Sequence, residues 1–129
     1  MKTIQHTNPG GRVVNVEVGE RVHIGADTYI GDDVTIHDDV YIGDNSIISS
    51  GTYIESGVSI RNWVIIDTDS YIGPDAYIEH DAYIGCLASI GSGAAIGAWA
   101  TIESDVYIGD MVTIESREWI ERGSTIDRP

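Results

Sequence analysis

The chain has 129 residues, the length of one domain around one core. Its formal net charge is −14, from 7 basic and 21 acidic residues, which argues against nucleic acid or an anionic membrane surface as partner. A single cysteine, Cys86, excludes an internal disulfide and fits a reducing, cytoplasmic compartment.

Residues 1–15 read as a lead-in that caps one end of a repeat. Met1–Arg12 is polar, offers neither a signal peptide nor a membrane span, and contains a turn at Asn8-Pro9-Gly10-Gly11. From Ile24 the chain changes character. Isoleucine stands at every sixth position from 24 to 126, eighteen in register without an insertion. Two positions ahead of each stands a small or β-branched residue, such as Val22, Thr28, Ser46, Ala76 or Ala88, until Glu118 breaks the rule. Val16 and Val18 extend the pattern upstream, so residues 16–129 form the repeat.

A period of six is not helical, and an apolar pair two residues apart is strand alternation. Each hexapeptide is therefore a short strand followed by a corner, and the corners hold turn residues such as Asp32-Asp33, Asp44-Asn45 and Ser56-Gly57. Three strands per coil close a triangular prism of about six coils, eighteen residues each, roughly 30 Å long. Ile24, Ile42, Ile60, Ile78, Ile96 and Ile114 form side one, and the next isoleucine of each coil forms side two. Ile36 and its equivalents to Ile126 form side three. Each buried isoleucine contributes about 1.5–3 kcal/mol, and the residues two before them are small because three walls converge on a narrow interior.

This pattern resembles the hexapeptide-repeat, isoleucine-patch superfamily, and the resemblance implies an all-β, left-handed parallel β-helix. Handedness comes from the resemblance alone, since the usual crossover preference is right-handed. Relatives in that superfamily are homotrimers with active sites between neighbouring prisms, which implies a homotrimer here. On the outer face of side two stand Tyr29, Ile47, Ile65, Tyr83, Thr101 and Trp119, the most apolar outward column. Ile47, Ile65, Tyr83 and Trp119, with Trp63 at the adjoining corner, are the candidate subunit interface.

The stretch with chemical content is Ile78-Glu79-His80-Asp81-Ala82-Tyr83-Ile84-Gly85. It resembles the Ile-Glu-His-Asp-Cys-x-Ile-Gly segment of bacterial sugar O- and N-acetyltransferases. That resemblance implies His80 as general base toward a hydroxyl or amine acceptor, with Asp81 or Glu79 orienting it and acetyl-CoA as co-substrate. A neutral imidazole accepts a proton near pH 7, and a carboxylate on its other nitrogen fixes the tautomer. Trp99 and Arg117, one coil apart in the same corner column, are candidates to hold the coenzyme. The match has gaps: the family cysteine is Ala82, its second histidine is Ser89, and a sugar-nucleotide-binding segment is missing.

No metal is expected. His23 and His37 fall on different sides and cannot converge with a third histidine as zinc requires, so the three-histidine pattern of γ-class carbonic anhydrases is not matched. Outward Thr35, Thr101, Thr113 and Thr125 are scattered, which disfavours an ice-binding face. Two functions stay open: an acetyl-CoA-dependent acetyltransferase acting on a small, sugar-like acceptor, and a non-catalytic β-solenoid, whether a degenerate relative, an assembly module or an engineered scaffold. The Glu-His-Asp corner favours the first; the unbroken repeat, with no loop over the site, favours the second. The spread of carboxylates around the coils reads as a solvated surface, and Glu118 is expected to loosen the last coil.

Overall fold

The computed structural model describes residues 1–128. Every element is a strand. After β1 (Lys2–Thr7) and β2 (Val13–Val18) come eighteen two-residue strands, from β3 (His23–Ile24) to β20 (Thr125–Ile126). They stack as three sheets, one of eight strands and two of six, parallel and with every third strand adjacent except where β1 joins β2. The pairing sets isoleucine on isoleucine: Ile78 lies between Ile60 and Ile96, and Ile84 between Ile66 and Ile102. The isoleucines at every sixth position from Ile30 to Ile108 are fully buried, and Ile24 and Ile126, at the two ends, are partly exposed. The three-sided solenoid expected from the period is the observed architecture.

The hydrogen bonding ties each hexapeptide to the coils on either side of it. In each hexapeptide the outward residues flanking the isoleucine donate to the coil above, as in Tyr77 N–H to Ala94 C=O (2.8 Å) and Glu79 N–H to Ile96 C=O (2.9 Å). The second corner residue donates to the coil below, as in Asp81 N–H to Asn62 C=O (3.1 Å). One extra residue would turn every later inward side chain outward. Those second corner residues all sit in the left-handed region, including Trp63 (φ 64°), Leu87 (φ 58°), Trp99 (φ 64°) and Arg117 (φ 65°) beside the expected aspartates and glycines.

Two features of the walls go beyond apolar packing. The four buried hydroxyls two before an isoleucine donate to backbone carbonyls fifteen residues on. Thr28 Oγ1 reaches Gly43 (2.8 Å), Ser46 Oγ reaches Arg61 (3.0 Å), Thr52 Oγ1 reaches Asp67 (3.2 Å) and Ser70 Oγ reaches Gly85 (2.8 Å). Burying them is tolerable because each is satisfied. At the first corner position, Asp38, Asp44, Asn62 and Asp110 each accept a backbone N–H from the coil beneath, at 2.8–2.9 Å. These side chains close backbone groups between coils, so they are more than the solvated surface expected of them.

The two ends are closed in different ways. The lead-in is a hairpin: β1 pairs antiparallel with β2, Lys2 opposite Val18 and Thr7 opposite Val13. Its turn at Asn8–Arg12 is closed by Gly11 N–H to Asn8 C=O (2.9 Å). The buried Asn8 side chain then caps side two, donating to Ile30 C=O and accepting Ile30 N–H, both at 2.8 Å, as a neighbouring strand would. At the other end the last coil is not loosened. Thr101 N–H still reaches Glu118 C=O (2.9 Å), and the ladder continues to Gly109 N–H on Ile126 C=O (2.7 Å). The Glu118 carboxylate is held by Glu115 N–H (3.0 Å) and by Arg128 on both oxygens (3.0 Å each). The Glu115 amide and Arg128 hold this carboxyl below the usual carboxylate range. Among the described residues no helix is long and apolar enough to cross a membrane.

Candidate active site

His80 and Asp81 are the corner residues between sides one and two, carried by the Tyr77–Ile78 strand. The stacking of Ile78 on Ile60 and below Ile96 puts this corner above Asn62-Trp63 and below Ala98-Trp99. Backbone bonds lock the column: Asp81 N–H to Asn62 C=O (3.1 Å), Trp99 N–H to His80 C=O (3.2 Å) and Arg117 N–H to Ala98 C=O (2.9 Å). Four coils thus present Trp63, Asp81, Trp99 and Arg117 one above another, at roughly 4.8 Å per storey.

The imidazole Nδ1 of His80 lies 2.8 Å from Asp81 Oδ2, with the two side chains 51% and 26% exposed. The left-handed backbone of Asp81 (φ 63°) folds its carboxylate back against the preceding residue. Nδ1 is occupied by the carboxylate, which leaves Nε2 as the ring nitrogen outside this pair. Glu79 plays a different part. Its carboxylate accepts the Tyr77 hydroxyl (2.9 Å), and Arg61 donates to the same hydroxyl oxygen (3.2 Å). Of the two carboxylates proposed to orient His80, Asp81 touches it and Glu79 is engaged elsewhere.

Trp63 and Trp99 are 59% and 53% exposed. A bulky residue at positive φ costs about 1–2 kcal/mol, so the fold holds both indoles outward at some expense. The Arg117 guanidinium lies 6.0 Å from the Trp99 ring centroid, a cation–π contact that unites the two coenzyme candidates. On side two, Ile47, Ile65, Tyr83, Thr101 and Trp119 follow one another in register. Ile47, Ile65 and Trp119 are exposed; Tyr83 is half-buried and donates to Asp67 Oδ2 (3.1 Å). Burial, and then the Asp67 carboxylate, push the Tyr83 phenol up. Lower on this face Ile47 and Trp63 join Pro9 and Tyr29 around a shallow apolar depression.

Sequence reasoning missed a second depression, on side one beside the His80 corner. Tyr77 and Glu79 form its floor, Thr113 and Glu115 its roof, and Ala95 and Gly97 its back wall. The signal was present: two small outward residues between larger ones eighteen positions away on either side. Among the described residues no group of three or more histidine, cysteine, aspartate or glutamate side chains is arranged to hold a metal ion.

No curated protein matches the chain. Among solved structures, the acetyltransferase domain of PglB from Neisseria gonorrhoeae FA1090 superposes with a TM-score of 0.81 at 21% identity, over 85% of this chain and 53% of that one. The same domain in complex with acetyl coenzyme A gives 0.68 at 19%, over 82% and 53%. The Francisella novicida UDP-N-acetylglucosamine acyltransferase gives 0.60 at 16%, over 86% and 58%. The chain spans a little over half the length of these structures, and identity this low concerns the fold, a hexapeptide-repeat left-handed β-helix. The GMPPB C-terminal domain family matches residues 13–126, and the chain belongs to that family.

Proposed function

We propose that the chain transfers an acetyl group from acetyl-CoA to a hydroxyl or amine of a small, sugar-like acceptor, with His80 as the base. The observation that carries this reading is the 2.8 Å His80–Asp81 pair on a corner flanked by two outward tryptophans. The likeness to an acetyltransferase domain solved with acetyl coenzyme A supports it. His80 Nε2 takes the acceptor proton as the acceptor oxygen or nitrogen bonds to the acetyl carbon. The same proton returns to the departing sulfur. Asp81 keeps Nδ1 protonated and steadies the imidazolium between the two transfers. Trp99 offers a flat apolar surface and Arg117 a cation for the coenzyme, which supplies the activated acetyl group.

The corner is convex, so the reading includes a homotrimer in which a neighbouring prism supplies the opposite wall. Trp63, Ile47, Ile65, Tyr83 and Trp119 form the contact, a contiguous stripe of the type that interfaces bury. The test is a thermal shift with acetyl-CoA on wild type and Trp99→Ala, followed by mass spectrometry of amino- and hydroxy-sugars incubated with wild type and His80→Ala. A ligand that binds only the folded state raises its apparent stability. No shift at millimolar acetyl-CoA, together with identical product profiles for wild type and His80→Ala, refutes the proposal.

A second reading, a non-catalytic solenoid acting as an assembly module, is favoured by the uninterrupted repeat. From β3 to β20 no loop departs from the coil to cover the corner. It predicts the refuting outcome above.

A further inference from the structure

We propose that two copies of the chain join end to end through β1, as antiparallel strands about a two-fold axis that sets Gln5 opposite Gln5. The hairpin leaves one strand edge free. Glu17 N–H donates to Val34 in the coil above, so the odd residues of β2 face that coil. Val14, Val16 and Val18 therefore turn their backbone groups to β1, where their register partners are His6, Ile4 and Lys2. Alternation along the ladder then points the N–H and C=O groups of Thr3, Gln5 and Thr7 outward. Among the described residues these groups have no hydrogen-bond partner.

The edge is unusual for this fold. β1 has six residues where the repeat strands have two. It carries none of the usual defences against pairing apart from Lys2 at its start: no proline, no bulge and no inward charge. A two-fold perpendicular to the sheet pairs only residues of equal parity. Centred on Gln5, it matches Thr3 with Thr7 and Gln5 with itself, each pair exchanging two hydrogen bonds. Every free group on both edges is then used, and Ile4 meets His6 on the inner face. Centred on Ile4 instead, it would set Thr7 opposite Met1, which lies outside the strand.

The self-complementary register points to a second copy as the occupant, and the charge distribution permits it. Residues 1–21 hold three cations and two carboxylates, whereas residues 22–116 hold one cation and sixteen carboxylates. Residues 117–129 hold three of each, so repulsion between copies is concentrated along the rod body and is weak where two hairpins meet. The contact is independent of any lateral one, so it doubles whatever unit the sides assemble.

The experiment is light scattering or sedimentation of the 129-residue chain. Wild type is expected at an even multiple of the chain mass. Gln5→Lys and Gln5→Glu are each expected to halve that mass, because directly opposed like charges destabilise a strand pair. An equal mixture of the two variants restores the doubled mass, since lysine then faces glutamate. Gln5 is exposed, and circular dichroism of both variants matching wild type shows the hairpin intact. An odd multiple for wild type, variants with unchanged mass, or a mixture that stays halved each overturns the proposal.

Discussion

Replacing Ile78 by alanine tests the continuous core on which every neighbour relation rests. The side chain is fully buried and stacks on Ile60 below and Ile96 above. Removing its three outer carbons leaves a cavity inside a wall hydrogen-bonded on both sides, where collapse is difficult. The cost is about 3–4 kcal/mol, within the usual range for such truncations. Ile24 belongs to the same column but is partly exposed and stacks only on Ile42. Its truncation should cost about 1 kcal/mol, because less area leaves water on folding and the site can relax. Urea denaturation of both variants measures the difference directly. In thermal unfolding it corresponds to a gap of about 10 °C for a chain this size. Equal losses at the two positions would refute a single core, packed from storey to storey, that thins only at its ends.

Further tests address the walls, the last coil and the corner. Ser70→Ala removes the donor to Gly85 C=O and should cost about 1 kcal/mol; a neutral result would mean the buried hydroxyls are not structural. Glu118 has a depressed folded pKa, so its contribution to stability is present above the unfolded carboxylate value and is lost as pH falls through the folded one. The stability gap between wild type and Glu118→Gln should therefore close on acidification below about pH 4, and a gap independent of pH would exclude the ionised pairing with Glu115 N–H and Arg128. Tyr71 is pushed up to about 12, by burial first and then by the Glu55 carboxylate that accepts its hydroxyl at 2.8 Å. A raised phenol stabilises the fold below its unfolded value near 10 and loses that contribution as pH climbs toward 12; spectrophotometric titration of Glu55→Gln should show one tyrosine ionising earlier. His80→Ala should lower acetyl transfer by about 10²–10⁴-fold while keeping the acetyl-CoA thermal shift. Loss of both would make His80 a binding residue instead of a base.

The amino-acid sequence by itself determined the solenoid. A strict period of six, with an apolar pair at strand alternation, closes into a three-sided prism whose hand it leaves open, and register then follows by counting. That is why Asn62, His80 and Ala98 could be placed one above another, and their carbonyls are found accepting from Asp81, Trp99 and Arg117 in that order. Other features depended on contacts between residues far apart in the chain. Nothing local marks Lys2–Thr7 as a strand or Asn8 as a cap, because both acquire their partners only when β2 and Ile30 are in place. Composition alone cannot show that Arg128 comes back to Glu118, or that Glu79 turns to Tyr77 and leaves Asp81 to His80. Each of those outcomes is a choice among several polar partners within reach, and it is settled by side-chain direction at a corner. The period carries no information about that direction.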